Sequence, residues 1–144
     1  MRKLRYAGAL FLISAAALAI AVAMTALPER LAFKGGEGYS FYVGNTSKSC
    51  RVVDCERKDA GLTRLSLREV CGESATFSSL DVDGFLKSVN GKILFEEELS
   101  DSVNYYCSAD LPYSVNLYGK QINLHICVKQ QGVTVASPII FGGY

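Results

Sequence analysis

The 144-residue chain predicts an α+β fold: an antiparallel, twisted sheet of about six to eight strands packed with one or two helices, preceded by an N-terminal transmembrane helix. Three observations carry this expectation. An uncharged apolar run opens the chain, period-two alternation fills most of the remainder, and one short stretch switches to helical period. The expected organisation is a membrane anchor or signal segment at 1–27, a flexible tether at 28–38 and an extracytoplasmic domain at 39–144.

The apolar run comes first. Arg2, Lys3 and Arg5 precede Tyr6–Leu27, 22 residues without a charge, and Pro28, Glu29 and Arg30 close it. A helix of that length spans ~33 Å, against a hydrocarbon core of ~30 Å. The basic start holds the N-terminus in the cytoplasm, which places the remainder outside, in a single-pass arrangement at the cell membrane. The lipid bilayer is thus the expected partner of residues 6–27. Ala21-Val22-Ala23 also fits a signal-peptidase site, so secretion after cleavage is the rival reading. Beyond Arg5 the chain has twelve basic and fourteen acidic residues, a balance of −2. That balance opposes nucleic-acid binding, which needs a basic stripe to release counterions.

Leu31–Gly38, "LAFKGGEG", is glycine-rich and reads as the tether. "YSFYV" (39–43) is aromatic and β-branched, a strand; Gly44-Asn45-Thr46-Ser47 is turn chemistry. "SCRVVDC" (49–55) reads as a second strand, "LTRLSL" (62–67) alternates as a third, and "SATF" (74–77) continues the sheet. In "SSLDVDGFLKSVNGK" the period changes. Val82, Phe85, Leu86 and Val89 share one helical face, Asp81 is the N-cap, and Asn90-Gly91 gives the left-handed stop. Gly84 weakens that helix by about 1 kcal/mol relative to alanine.

Strands return with "KILFEEEL" (92–99) and "VNYYCSA" (103–109). Tyr118-Gly119 predicts a two-residue hairpin loop that pairs Leu117 with Lys120, Val115 with Ile122 and Tyr113 with Leu124. A loop at Gln131-Gly132 predicts a second hairpin, with Val128 opposite Val135 and Lys129 opposite Thr134. Pro138 ends that strand or marks an edge.

His125 is the only histidine, two residues from Cys127. On a strand the two share a face about 6.5–7 Å apart. A base–nucleophile pair needs hydrogen-bond reach, and the spacing does not impose it; an incidental pair on a polar or helix-covered face is the plainer reading. No C-x-x-C occurs among Cys50, Cys55, Cys71, Cys107 and Cys127, which leaves a zinc ribbon unsupported. Outside the cytoplasm disulfides are the ordinary expectation. Cys50 and Cys55 fall about 16 Å apart along a regular strand, beyond bonding range. Cys107 and Cys127 are then the candidate pair, on strands that can be neighbours; five buried free thiols are the alternative.

Glu96-Glu97-Glu98 alternates across the strand and presents no opposed carboxylate pair, which suits a solvated edge. No G-x-S-x-G elbow, H-E-x-x-H helix or phosphate loop occurs. The residues indicate no catalytic group, metal or cofactor. Tyr105, Tyr106, Tyr113 and Tyr118 gather near the central hairpin and form a candidate interaction surface. Amphipathic strand tyrosines with wet hydroxyls are the plainer reading.

"VNYYCSADLPYSVNLYGKQINLHICV" with the closing "SPIIFGGY" resembles the YwmB-like proteins of spore-forming Gram-positive bacteria, over roughly Leu62–Tyr144. The resemblance implies a membrane-anchored or secreted protein with a curved antiparallel sheet packed on helices, likened to the TATA-box-binding fold. It implies no functional residue, and this chain is shorter than the longer members.

The expected function is that of a non-enzymatic protein-interaction module of the cell envelope or of sporulation. The alternatives are a small thiol-dependent enzyme or redox protein using Cys127 and His125, and a module that binds a small ligand.

Overall fold

A computed structural model describes residues 12–22, 31–44 and 50–141. Helix α1, residues 12–22, is exposed. No described helix is long and apolar enough to cross a membrane; both ends of the predicted span Tyr6–Leu27 lie outside the described residues. The turn at 45–47 lies outside them as well.

The domain is α+β. A seven-stranded antiparallel sheet runs in the order β2-β1-β3-β9-β8-β5-β4. Its strands are β1 (Gly38–Val43), β2 (Arg51–Glu56), β3 (Val70–Phe77), β4 (Lys92–Glu98), β5 (Ser102–Ser108), β8 (Leu124–Lys129) and β9 (Gly132–Ser137). Strands β6 (Val115–Leu117) and β7 (Lys120–Ile122) form a separate ribbon. Helices α2 (Arg57–Ser66) and α3 (Val82–Ser88) complete the described domain.

Cross-strand partners share a face, so the register sorts the sheet into two sides. Phe41 pairs with Glu73, Tyr39 with Ala75, Ala75 with Val135, Val135 with Ile126, and Leu124 with Cys107. These residues line the front, where Phe33, Ala60 of α2 and Leu86 of α3 join them in the hydrophobic core. Tyr42, Ser74, Ala136, His125 and Tyr106 line the back. The segment after β9 crosses that side: the Phe141 N–H donates to the Tyr42 hydroxyl at 3.2 Å, and the two rings meet edge to face at 4.7 Å. Both faces of β8 are therefore buried.

Helix α3 forms where the period switch places it. The Asp81 carboxylate accepts the Gly84 N–H at 3.1 Å. The helix closes with Asn90 at φ 50° and the Gly91 N–H donating to Leu86 O at 2.7 Å, a Schellman pattern. Gly84 has a further reason to be glycine, because a Cβ there would collide with the capping Asp81 carboxylate.

Four expectations are corrected. Residues 62–66 belong to helix α2, not to a strand, and Leu67 is its C-cap. The inward contact of the helix is Ala60, fully buried, while Leu62 and Leu65 are 60% and 51% exposed. The apparent alternation thus mixes two leucines that face solvent with Leu67, which packs partly buried against the core. Residues 31–38 pack on the domain rather than running free as a tether: Phe33 is fully buried, its ring lies 6.1 Å from Phe85, and the Tyr39 hydroxyl donates to Phe33 O at 2.8 Å. The β8–β9 hairpin turns one residue earlier than expected and pairs Val128 with Val133 and Lys129 with Gly132. The shift keeps every side chain on its face, and Gly132 is placed where a Cβ would lie 2.5 Å from Phe77 O.

The β6–β7 hairpin has the expected partners Val115–Ile122 and Leu117–Lys120, but its pairing stops before Tyr113 and Leu124. Asn123 breaks the strand. Its side-chain oxygen accepts the Ala109 N–H at 2.6 Å, its amide donates to Ala109 O, and its own N–H donates to Cys107 O at 3.1 Å. Leu124 is thereby delivered to β5 opposite Cys107.

Candidate functional site

A cleft of about 400 Å³ opens between the back of the β4 edge and the β6–β7 hairpin, lined by Phe95, Glu96, Glu97, Tyr106, Leu117, Tyr118 and Ile139. The β4–β5 register slips between Ile93 and Phe95. That bulge turns Phe95 to the side of its partner Tyr106, whose ring it stacks on at 4.6 Å. Tyr106 stacks in turn on His125 at 4.5 Å, so three flat rings run from the cleft into the buried sheet. The Tyr106 hydroxyl donates to Glu97 at 3.3 Å.

Tyr118 closes one side of the cleft. It is 85% exposed, with its ring edge-on to Phe95 at 6.0 Å. Its φ of 51° and that of Gly119, 74°, match the two left-handed positions of a type I′ turn. Asparagine or glycine suits the first of these; a bulky side chain there is a conformational outlier. Lys120 is held away from the opening, donating to Leu94 O at 3.0 Å with its ammonium 5.4 Å from the Phe95 ring centre. A larger recess of about 550 Å³, beside Glu37, Glu56, Arg57 and Lys58, has no aromatic wall.

The four tyrosines do not form one surface. Tyr106 and Tyr118 line the cleft. Tyr105 pairs with Ile126 on the front face, and the Tyr113 hydroxyl lies 3.0 Å from the Arg64 guanidinium.

Cys127 and His125 share the back of β8, as their spacing requires, yet they are not arranged as nucleophile and base. The Ile140 N–H donates to His125 Nδ1 at 3.2 Å, which leaves the proton on Nε2 to be given to Asn104 Oδ1 at 3.1 Å. Burial holds this imidazole neutral, with its pKa lowered to about 4. Cys127 is buried, and desolvation pushes its thiol up, away from the thiolate that a nucleophile needs.

Cys107 and Cys127 are not brought together. Cys107 is opposite Leu124 on the front, Cys127 opposite Asn104 on the back, and all five cysteines carry free thiols. Burial raises the Cys107 thiol to about 11.

Glu73 carried no signal in the sequence, because its partners are 40 residues away. Its carboxylate is fully buried on the front face and accepts the N–H groups of Ala32 at 3.0 Å and Phe33 at 3.4 Å. Desolvation raises its pKa to about 7, against those two hydrogen bonds and the Arg64 charge, which favour the ionised form. Phe95, Leu117 and Ile139 were also missed as site residues. Phe95 is the one with a legible cue, an aromatic immediately before a run of glutamates; Ile139 reaches the cleft only because the chain folds back after β9.

No family model, curated protein or solved structure matches this chain.

Proposed function

We propose that the chain is a membrane-anchored, extracytoplasmic recognition domain without catalytic chemistry, and that it takes a segment of a partner protein into the cleft of Phe95, Tyr106 and Tyr118. The observation that carries the reading is Tyr118. A large aromatic ring is kept in solvent, in a backbone conformation that disfavours it, at the mouth of an aromatic-lined cleft. Strain that the fold does not need is a mark of selection for binding. Exposed aromatic rings beside a recess are also what interface anchors look like. Glu96 and Glu97 give the cleft acidic walls, so the preferred segment has a basic side chain next to an apolar one. The Tyr6–Leu27 run supports the anchor, and the resemblance to YwmB-like proteins supports a place in the envelope or in sporulation.

The test is photo-crosslinking in cells that express the full chain. The photoreactive residue is placed at Asn116, on the hairpin that carries Tyr118, or at Leu62 on α2 as a remote control. The expected result is one protein adduct from Asn116, lost on adding Tyr118→Ala and absent from Leu62. Equal labelling at both positions, or an adduct indifferent to Tyr118→Ala, overturns the proposal. A phosphatase fused behind Tyr144 and active only outside the cytoplasm tests the topology separately. The volume of about 400 Å³ also falls in the range of small-molecule sites. A small molecule that copurifies in a Tyr118-dependent way, with no protein adduct, favours that second reading.

A further inference from the structure

We propose that the free edge of β4 takes an extended basic segment of the partner protein as an eighth strand, antiparallel to β4. This mode of docking rests on the recognition function proposed above and adds its register. β4 ends the seven-stranded sheet, and among the described residues no strand pairs with its outer edge. At one end of that edge Lys120 occupies Leu94 O at 3.0 Å. At the other the chain turns at Ser100-Asp101, where the Leu99 N–H donates to Ser102 O at 2.8 Å. That bond fixes which main-chain groups are free. Along an antiparallel pair, residues alternate between groups bonded to the partner strand and groups directed outward. Leu99 is bonded to β5, so Glu97 and Phe95 are as well. Glu98 and Glu96 then hold their N–H and C=O groups away from β5, toward the open edge.

The side chains set the sequence that fits. By the β4–β5 register Glu96 and Glu98 lie on the front with Tyr105 and Val103, while Phe95 and Glu97 lie on the back with Tyr106 and Asn104. Glu96, Glu97 and Glu98 are all exposed, and among the described residues none of them has an ion pair. Lys120 is engaged at Leu94 O, and Lys129 with Asp101 at 3.5 Å. A residue added opposite each glutamate meets a carboxylate, and opposite charges across a strand pair attract. The next residue falls opposite Phe95, on the back, at the cleft of Tyr106 and Tyr118. Antiparallel addition continues the pattern of the sheet and is the more stable pairing. Read from its N-terminus, the segment is therefore a run of basic residues followed by a bulky apolar one.

The same charges refuse a second copy of this chain. Antiparallel β4–β4 pairing centred on Glu97 sets Glu97 against Glu97 and Glu96 against Glu98, like charges directly opposed. Carboxylates on an edge strand discourage self-association in this way, and a basic strand turns the repulsion into attraction. Strand addition draws affinity from main-chain bonds and specificity from alternate side chains. This edge offers both: the free N–H and C=O groups of Glu96 and Glu98, and a row of carboxylates that ends at an aromatic cleft.

The experiment uses the full chain in nonionic detergent at low ionic strength and a fluorescent peptide, Ser-Lys-Arg-Lys-Phe-Ser, whose binding is followed by anisotropy. A single N-methyl group is moved along its Lys-Arg-Lys stretch. The residues opposite Glu98 and Glu96 donate their N–H groups to β4, whereas the N–H of the middle residue faces solvent. Methylation of the first or third basic residue is expected to weaken binding about tenfold or more, and of the second by less than about twofold. Glu96→Pro removes an outward N–H, spares the β5 ladder and is expected to abolish binding. Equal loss at every methyl position, loss at none, or no binding of the parent peptide overturns the proposal. Dimerisation of the chain that is abolished by Glu96→Pro overturns it too. Binding that needs Tyr118 but ignores the methyl position sinks strand addition and leaves the cleft reading standing. Alternation that survives Tyr118→Ala upholds strand addition and sinks the cleft reading. The methyl scan is made on the wild type, so it decides the matter even if Glu96→Pro folds poorly.

Discussion

Tyr118 sets binding against stability at a single residue. Its left-handed φ of 51° costs an ordinary side chain roughly 1–2 kcal/mol, and 85% exposure returns little of that through burial. Asparagine adopts this conformation readily and is a preferred first residue of a type I′ turn. Tyr118→Asn is therefore expected to raise stability by about 1 kcal/mol in urea denaturation while abolishing the crosslink from Asn116. A destabilised Tyr118→Asn would mean that the Phe95 contact outweighs the backbone strain. Gly132 is the opposite case. With φ 148° and Phe77 O 2.5 Å from any added Cβ, Gly132→Ala is expected to cost about 2 kcal/mol in the same assay, through displacement of β3 from β9.

At the scale of elements, what was legible followed from local chemistry. α3 was readable because its cap, apolar period and stop all lie within ten residues. Asp81→Ala removes the hydrogen bond to Gly84 and is expected to lower stability by about 1 kcal/mol, seen as a shift in the urea midpoint at unchanged slope. The β6–β7 hairpin was readable because Tyr118-Gly119 prescribes its own pairing. α2 was not. Its short inner face offers one buried alanine, and two of the three leucines that suggest a strand, Leu62 and Leu65, face water. The packing of residues 31–38 is hidden for a related reason: "LAFKGGEG" has a tether's composition, and its contacts to Glu73 and Phe85 come from distant parts of the chain. The cleft combined both kinds of feature. Its turn and glutamates were visible along the chain, but the bulge that aims Phe95 and the return of Ile139 are products of sheet assembly. The shared face of His125 and Cys127 was read correctly, whereas the Ile140 amide that occupies Nδ1 comes from another segment.

For the whole molecule, two buried ionisable groups on opposite faces of the sheet set the dependence of stability on pH, and they act in opposite directions. Glu73 has its pKa raised from 4.5 to about 7 by burial, so the folded state holds a proton that the unfolded state has released. Its contribution falls as pH rises from about 4.5 to about 7 and is flat above. His125 has its pKa lowered from 6.5 to about 4, so the folded state lacks a proton that the unfolded state binds. Its contribution rises with pH from about 4 to about 6.5. Each shift corresponds to roughly 3 kcal/mol, so the two slopes offset one another over most of the mildly acidic range. The wild-type domain is accordingly expected to show a nearly constant unfolding free energy between about pH 4.5 and 6.5. Glu73→Gln keeps an oxygen to accept the Ala32 and Phe33 N–H groups and removes the charge. That variant should gain stability relative to wild type as pH rises, and should itself grow more stable from about pH 4 to 6.5, the window of His125 alone. His125→Gln should show the mirror image, losing stability as pH rises toward 7, whatever its absolute stability. Urea titrations of the three proteins at a series of pH values read these slopes directly. Parallel profiles for wild type and Glu73→Gln would show that the Glu73 carboxylate is solvated after all, and that residues 31–33 are not held to the sheet by a buried acid.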